Sequence, residues 1–376
     1  MNKKTRFLFN SYLATIAALN GVESTAQTFA VEPVVEQKFE EKLKENVEFL
    51  GAISIENVSD QAGQTLGLES ASSIMGRTNT ANNTRRQPVD PTDNGETNTY
   101  FCKQTDFDWS RSYPALDKWR HKPEFERLLA MAILKQQGRD LIMCGWHGTS
   151  RAAQTDRGAN PLLQDVNEGW LHKIRTNAPA QVFDDGSLTV HTDGSNDDAT
   201  KAIYIKAGAE LFDANAALGD AGSSNTAEAD YSSIDAMVLD AQRFLPEWHA
   251  DDTGLVVIVG RNLLDDKYFN IAQATGATAT EVEATDRILR STKTIGNLPA
   301  MRVPFFPANA ILITRLDNLA IYNQEGTRRR RLADEPEYNR IANYESVNMD
   351  YVVEDYELAV LVENISMGAA PARPAP

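Results

Sequence analysis

Asn160–Lys173 reads NPLLQDVNEGWLHK, a run dense in distinctive residues that holds no catalytic constellation. It reads as recognition and packing rather than chemistry, with Trp170 and Leu171 as its apolar anchors. Upstream, Pro123 suits the first turn of a helix that continues to about Trp146. Phe125, Leu128, Leu129, Ala132, Ile133, Leu141 and Ile142 lie on its buried side. At 1.5 Å per residue this helix is a rod on the order of 35 Å long, around which a domain can organise. A shorter helix is expected from about Leu163 to Arg175, so the quoted block leads from the long helix into the next region.

Toward the N-terminus, Leu8, Tyr12, Ile16 and Leu19 recur at helical spacing and Asn20-Gly21 supplies a stop. A polar hinge, Glu23–Thr28, follows, which makes this first helix detachable. The spacing of Val35, Phe39, Leu43, Val47 and Leu50 predicts a second helix that ends at Gly51, with Glu40 and Lys44 placed to pair at i,i+4. Lys3, Lys4 and Arg6 before an apolar stretch, with Ser24-Thr25-Ala26 beyond it, imitate a secretory signal. Asn10, Ser11 and Thr15 interrupt that stretch and make the signal the weaker reading.

From Glu56 to Tyr100 the sequence is mostly Gly, Ser, Thr, Asn and Gln, and cannot build its own core. Composition favours disorder over an arm lying on a neighbouring molecule. Patches at Ile53–Val58, Thr65–Leu68 and Tyr100–Trp109 keep a long hairpin open. Asp184–Asp230 reads as a surface insertion around a strand at Ala202–Lys206. A helix near Ser233–Leu245, the buried strand LVVIV at Leu255–Val259 and a helical Arg261–Phe269 make an α/β unit. Further strands fit Ala300–Phe306, Ala310–Thr314, Leu319–Tyr322 and Leu358–Ile365. Val347, Met349, Tyr351 and Val353 alternate with Ser346, Asn348, Asp350 and Val352, and a mobile Pro/Ala tail follows. The fold class is α+β.

A chain of 376 residues with 42% apolar content can bury one large core or two to three smaller ones. Its net charge of −16 argues against a surface that wraps nucleic acid, because phosphate binding needs clustered Lys and Arg. An acidic inner wall would still suit a container, since it would not glue down a packaged polyanion. With only Cys102 and Cys144, a disulfide framework is not expected and a reducing cytoplasm is the natural compartment. No apolar run reaches the roughly 18–20 residues of a membrane span, so a soluble chain is expected.

Cys144 and His147 form the one tempting nucleophile and base arrangement, but no companion acid is singled out and ordinary packing is the stronger reading. The five histidines are scattered without zinc spacing, and no phosphate-binding fingerprint opens a helix, so no catalytic, cofactor or metal site is expected. The run Arg328, Arg329, Arg330, Arg331 precedes Asp334, Glu335 and Glu337, which favours an intersubunit or intrachain salt-bridge cluster over a phosphate clamp. Arg85 and Arg86 are read the same way.

DLIMCGWHGTSRAAQTDR at Asp140 and the block at Asn160 resemble the major capsid protein of Peduovirus-type tailed bacteriophages. The resemblance extends through FLFNSYL at Phe7, FAVEP at Phe29, RQP at Arg86, RSYPALDKWRHKPEF at Arg111 and VVIVGRNLLDDKYF at Val256. IGNLPAMRVPFFPANAILITRLDNLAIY at Ile295 and NYESVNMDYVVEDY at Asn343 complete it, in the family's order and over nearly the whole chain.

The resemblance implies a Hong Kong 97-like capsid fold. Its parts are an N-terminal propeptide at 1–29, an N-terminal arm at 30–53 and an extended β-hairpin loop at 54–109. A peripheral domain with the long spine helix takes 110–157, an axial domain 158–298 with the insertion at 184–230, late strands 299–366 and a tail 367–376. It implies assembly with an internal scaffolding protease into pentamers and hexamers of a phage head, and removal of the propeptide between Phe29 and Ala30. It also implies a portal protein at one vertex, enclosed double-stranded DNA without sequence-specific binding, no membrane, and assembly in the host bacterial cytoplasm into a virion. The insertion departs from the family pattern and suits a surface protrusion. A soluble enzyme using Cys144 and His147, and a cargo-enclosing nanocompartment shell, are the alternatives.

Overall fold

A computed structural model of the chain describes residues 3–65, 75–79, 85–87, 98–119, 125–186, 201–205, 229–263 and 293–368. Its helices are α1 (Lys3–Leu19), α2 (Pro33–Asn46), α3 (Glu48–Ala52), α4 (Tyr113–Trp119), α5 (Phe125–His147), α6 (Trp170–Asn177), α7 (Ile234–Ala241) and α8 (Glu247–Ala250). A seven-stranded sheet runs β1 (Phe29–Ala30), β14 (Arg329–Glu335), β15 (Arg340–Val353), β13 (Leu319–Gln324), β2 (Ser54–Val58), with β5 (Lys103–Asp106) and β6 (Trp109–Ser112) also on β15. A six-stranded sheet runs β10 (Thr294–Ile295), β11 (Leu298–Met301), β9 (Val256–Val259), β12 (Ile311–Thr314), β16 (Val360–Val362), β7 (Val182–Phe183). Two strand pairs join β17 (Ile365–Met367) to β8 (Ile203–Ile205) and β3 (Ala62–Gln64) to β4 (Thr99–Phe101).

The chain divides into two compact units. One comprises Met1–Lys42, Ile55–Ile133 and Ala320–Asp355, and the other Leu43–Ser54, Leu134–Leu319 and Tyr356–Pro376. The boundary falls inside α5, between Ile133 and Leu134. Among the described residues no helix is long and apolar enough to cross a membrane.

In the first unit α1 ends as its sequence predicts. Gly21 takes a φ of +63°, and the Val22 N–H donates to the Ala17 carbonyl at 3.0 Å, closing a Schellman turn that few residues besides glycine enter without strain. Phe9, Tyr12 and Ile16 sink into a cluster with Leu116, Leu129, Leu332 and Ile341. The expected second helix is broken: α2 stops at Asn46, and Val47 takes extended angles before α3 begins. Beyond the break Phe49 and Leu50, which belong to the second unit, are buried. Ala62, Gly63 and Gln64 pair antiparallel with Phe101, Tyr100 and Thr99, and most of residues 66–97, including the patch expected at Thr65–Leu68 beyond Thr65, lies outside the described residues.

A buried ion cluster fixes α2. Arg328, 7% exposed, donates from Nε to Glu36 at 2.9 Å and from Nη1 to Glu345 at 2.8 Å, and its guanidinium lies 4.9 Å from the Phe39 ring centroid. Burial alone disfavours the Arg328 charge, but Glu345 and Glu36 outweigh it and hold the group above its ordinary value. Glu40 does not turn to Lys44. It accepts from Asn57 at 3.3 Å and Asn323 at 3.1 Å, and burial raises its pKa against the opposing pull of Arg328.

In the second unit β9 is the central strand predicted from LVVIV. It pairs parallel with β11 and antiparallel with β12, and Val257, Ile258 and Val259 are buried. The helix expected from Leu163 starts only at Trp170, because Leu163 sits at φ +60° and Gly169 is extended. The strand expected over Ala300–Phe306 ends at Met301, and Phe305 takes a φ of +65°. The strand expected over Leu358–Ile365 is divided by Asn364 at φ +57°. Pro123, most of Asp184–Asp230, Arg261–Phe269 beyond Leu263, and the Pro/Ala tail lie outside the described residues.

The Asn160–Lys173 block contributes to an aromatic junction within this unit. Trp146 and Trp170, 1% and 0% exposed, have ring centroids 4.9 Å apart, with Phe306 at 5.0 Å and Phe49 at 5.4 Å from Trp146. A Cβ at Gly145 would lie 2.3 Å from the Trp170 ring, so the end of α5 approaches α6 more closely than any side chain permits. The segment between them is folded back on itself: Thr149 N–H donates to the Gln164 carbonyl at 2.8 Å, and Arg151 pairs with Asn167 and Glu168. His147 Nε2 lies 2.7 Å from the Phe305 carbonyl and holds that left-handed residue in place.

Two outcomes are expected. Arg328→Ala leaves Glu36 and Glu345 buried without a counter-charge and should cost about 3–5 kcal/mol in urea unfolding; a loss under about 1 kcal/mol would show that the cluster does not hold α2. Burial holds the His147 pKa below its ordinary value, with Arg175 adding to the effect and the Phe305 bond opposing it. Its contribution is full above the unfolded value and is lost as pH falls through the window down to the folded one. Thermal scans between about pH 7.5 and 5 should therefore show a loss that His147→Gln flattens, and superimposable profiles would refute this role.

Candidate functional site

The residues singled out for a cut, Phe29 and Ala30, form β1 at the edge of the seven-stranded sheet. Phe29 registers with Arg330 and Ala30 with Arg329, and Phe29 is buried while Ala30 is exposed. The contact extends in both directions. Val31 N–H donates to the Arg328 carbonyl at 3.0 Å, Leu332 N–H to the Thr25 carbonyl at 2.9 Å, and Arg331 Nε to the Ala26 carbonyl at 3.0 Å. Residues 25–31 therefore lie along β14, and the polar hinge read from Glu23–Thr28 is partly tied down.

The arginine run is split by strand geometry. Arg328, expected among the intersubunit contacts, is enclosed by Glu36 and Glu345, so the intrachain alternative is the one its geometry shows. Beyond it, alternate residues of β14 point to opposite faces. Arg330 donates to Asn343 at 2.8 Å and stands 3.9 Å from Glu345, Arg331 lies 6.0 Å from the Tyr344 ring centroid, and Arg329 is exposed. The acids that follow are engaged elsewhere. Asp334 pairs with Arg6 at 3.2 Å and accepts from the Tyr113 hydroxyl, while Glu335 pairs with Arg340 at 2.7 Å and accepts from Tyr344. The partners that matter, Glu36 and Glu345, carried no signal in the local sequence. Glu345 meets the run only through the β14–β15 register, in which it stands opposite Arg330. Arg85 and Arg86 are exposed.

Cys144 is 4% exposed on the last turns of α5, and His147 is engaged with Phe305, so the pair does not present an accessible nucleophile with a free base. Cys102 is also a buried free thiol. Among the described residues no group of three or more His, Cys, Asp or Glu is placed to hold a metal ion.

Comparison with known proteins gives this arrangement its context. The family model for the phage major capsid protein of the P2 family matches residues 8–365. The capsid protein of Escherichia phage P2 is 42% identical over 371 residues, covering 98% of this chain and 96% of that protein. The major capsid protein of Serratia phage KSP20 is 36% identical over 369 residues, covering 97% and 98%. Among solved structures, a chain of the satellite phage P4 procapsid that includes the size determination protein superposes with a TM-score of 0.73 at 38% identity, covering 98% of this chain and 99% of that one. The fold is thus the Hong Kong 97-like fold of a phage capsid subunit, and the relatives are structural proteins of a virion, which replaces both the enzyme and the nanocompartment alternatives. This chain belongs to the P2 family of phage major capsid proteins.

Proposed function

We propose that this capsid protein builds the icosahedral head of a tailed phage from pentamers and hexamers of itself, assembled in the host cytoplasm on an internal scaffolding protease, with a portal protein at one vertex. The observation that carries this reading is its end-to-end likeness to a procapsid subunit. Double-stranded DNA is enclosed and not read: a net charge of −16 disfavours a surface that wraps a polyanion. Two free, buried thiols fit assembly in a reducing compartment.

In this reading residues 1–29 are a propeptide, 30–53 the arm, 54–109 the extended loop and 110–157 the peripheral domain. Residues 158–298 form the axial domain, 299–366 supply late strands to both domains, and 367–376 are a tail. Arg85, Arg86, Arg329, Arg330 and Arg331 are intersubunit contacts, and Arg328 holds the arm from within. The cut between Phe29 and Ala30 is supported by the extended conformation of β1 on a sheet edge, the backbone form in which peptides bind by strand addition.

Electron microscopy of the chain expressed with its scaffold should show closed shells, and monomers alone would sink the reading. Cys144→Ala should assemble as the natural chain does. Mass spectrometry of mature particles should find Ala30 as the first residue, and a retained Met1 or Asn2 start would refute the cut.

A further inference from the structure

Residues 3–29 cover the first unit in two ways at once. Phe9, Tyr12 and Ile16 fill an apolar seat whose floor is Leu116 of α4, Leu129 of α5, Leu332 of β14 and Ile341 of β15, each no more than 4% exposed. Residues 25–31 then lie on the outer edge of β14, from Thr25 against Leu332 to Val31 against Arg328. In the described sheet β1 is the terminal strand, so this segment is what shields that edge. An isolated helix the length of α1 is marginal in water, so its helicity depends on the seat.

A break between Phe29 and Ala30 divides the covering strand and turns a tethered contact into a bimolecular one. Removing 1–29 leaves three things side by side: the apolar seat, a row of β14 backbone groups without strand partners, and Arg329, Arg330 and Arg331 along that row. An open strand edge is a template for another chain, an apolar seat takes an amphipathic segment, and guanidinium groups take carboxylates. A second copy of this chain meets the charge requirement, with a net charge of −16, and its relatives assemble as shells. The segment removed is itself basic, with Lys3, Lys4 and Arg6 against Glu23, so its loss makes every copy a more acidic partner for that edge.

We propose that residues 1–29 are an intramolecular occupant of a docking face formed by the β14 edge and the α1 seat, and that their release opens this face to a second copy of the chain. This rests on the processing reading above. Amide exchange at residues 329–332 tests it in intact chain, in subunits dissociated from processed shells, and in processed shells themselves. Protection is expected in the first, exchange faster by about tenfold or more in the second, and renewed protection in the third. Fast exchange in processed shells overturns the proposal, as does slow exchange in dissociated subunits that have lost the peptide.

A full-length Phe9→Asp/Ile16→Asp variant undocks α1 without a cut and tests the face independently of processing. It should self-associate by sedimentation at concentrations where the natural chain stays monomeric, and excess synthetic peptide of residues 1–29 should reverse this. A monomeric variant, or association that the peptide leaves unchanged, overturns the proposal. Mass spectrometry that finds 1–29 retained in mature particles defeats the processing reading separately, while the variant still decides whether the face exists.

Discussion

Arg328 is one cation enclosed by two carboxylates from distant parts of the chain, Glu36 in α2 and Glu345 in β15. Burying three charges is costly, and the attraction among them offsets the cost only when every bond is made, so the arrangement tolerates few alternatives. That intolerance is useful here. A helix rolled by one residue, or a hairpin slipped by one, would leave a charge buried alone. The cluster therefore couples the path of α2 to the β14–β15 register, and through Val31 and Arg328 it also sets where the segment upstream of α2 meets the sheet.

β15 carries the consequence across the sheet. Its 14 residues pair with β14 at one end and with β6 and β5 in turn along another side. Between β5 and β6 the regular ladder is interrupted: Phe107 N–H donates to the Glu345 carbonyl at 2.7 Å and Glu345 N–H to the Asp108 carboxylate at 3.0 Å. The residue that anchors α2 thus also anchors the turn in the strand beside it. Alternation predicts one polar face for β15, yet Asp350 and Val352 are as buried as Met349 and Tyr351. Asp350 accepts from the Phe101 and Tyr351 N–H groups, bonds that help a carboxylate sit inside the sheet.

What was legible in the sequence follows from how far apart the deciding residues lie. α1 and its stop, the long α5 and the central β9 were readable because periodicity and glycine placement are local signals. The false start of α6 at Leu163 and the break at Asn364 were not, because both depend on a non-glycine residue held in left-handed backbone by its surroundings. The arginine run shows the limit most clearly. Its residues were recognised as salt-bridge formers within or between subunits, but the partners of Arg328, Glu36 of α2 and Glu345 of β15, come from parts of the chain that its local sequence does not point to. The edge position of Phe29 and Ala30 was equally hidden, since it depends on a pairing about 300 residues away in the chain.

The two sides of that edge strand are held by different physics. Downstream, α2 is fixed by buried, hydrogen-bonded charges that cannot be exchanged for water without a large penalty. Upstream, α1 is held by three large apolar side chains, at roughly 1.5–3 kcal/mol each, and by an exposed Arg6–Asp334 pair that adds little. Ordering a 17-residue helix consumes much of that gain. With a tether supplying an effective concentration in the millimolar range, the helix stays docked; without it, at a free peptide concentration of about 1 μM, the same contacts must overcome about 4 kcal/mol more. A cut between Phe29 and Ala30, as proposed above, would separate the part of the chain held mainly by apolar contacts from the part held by buried charges.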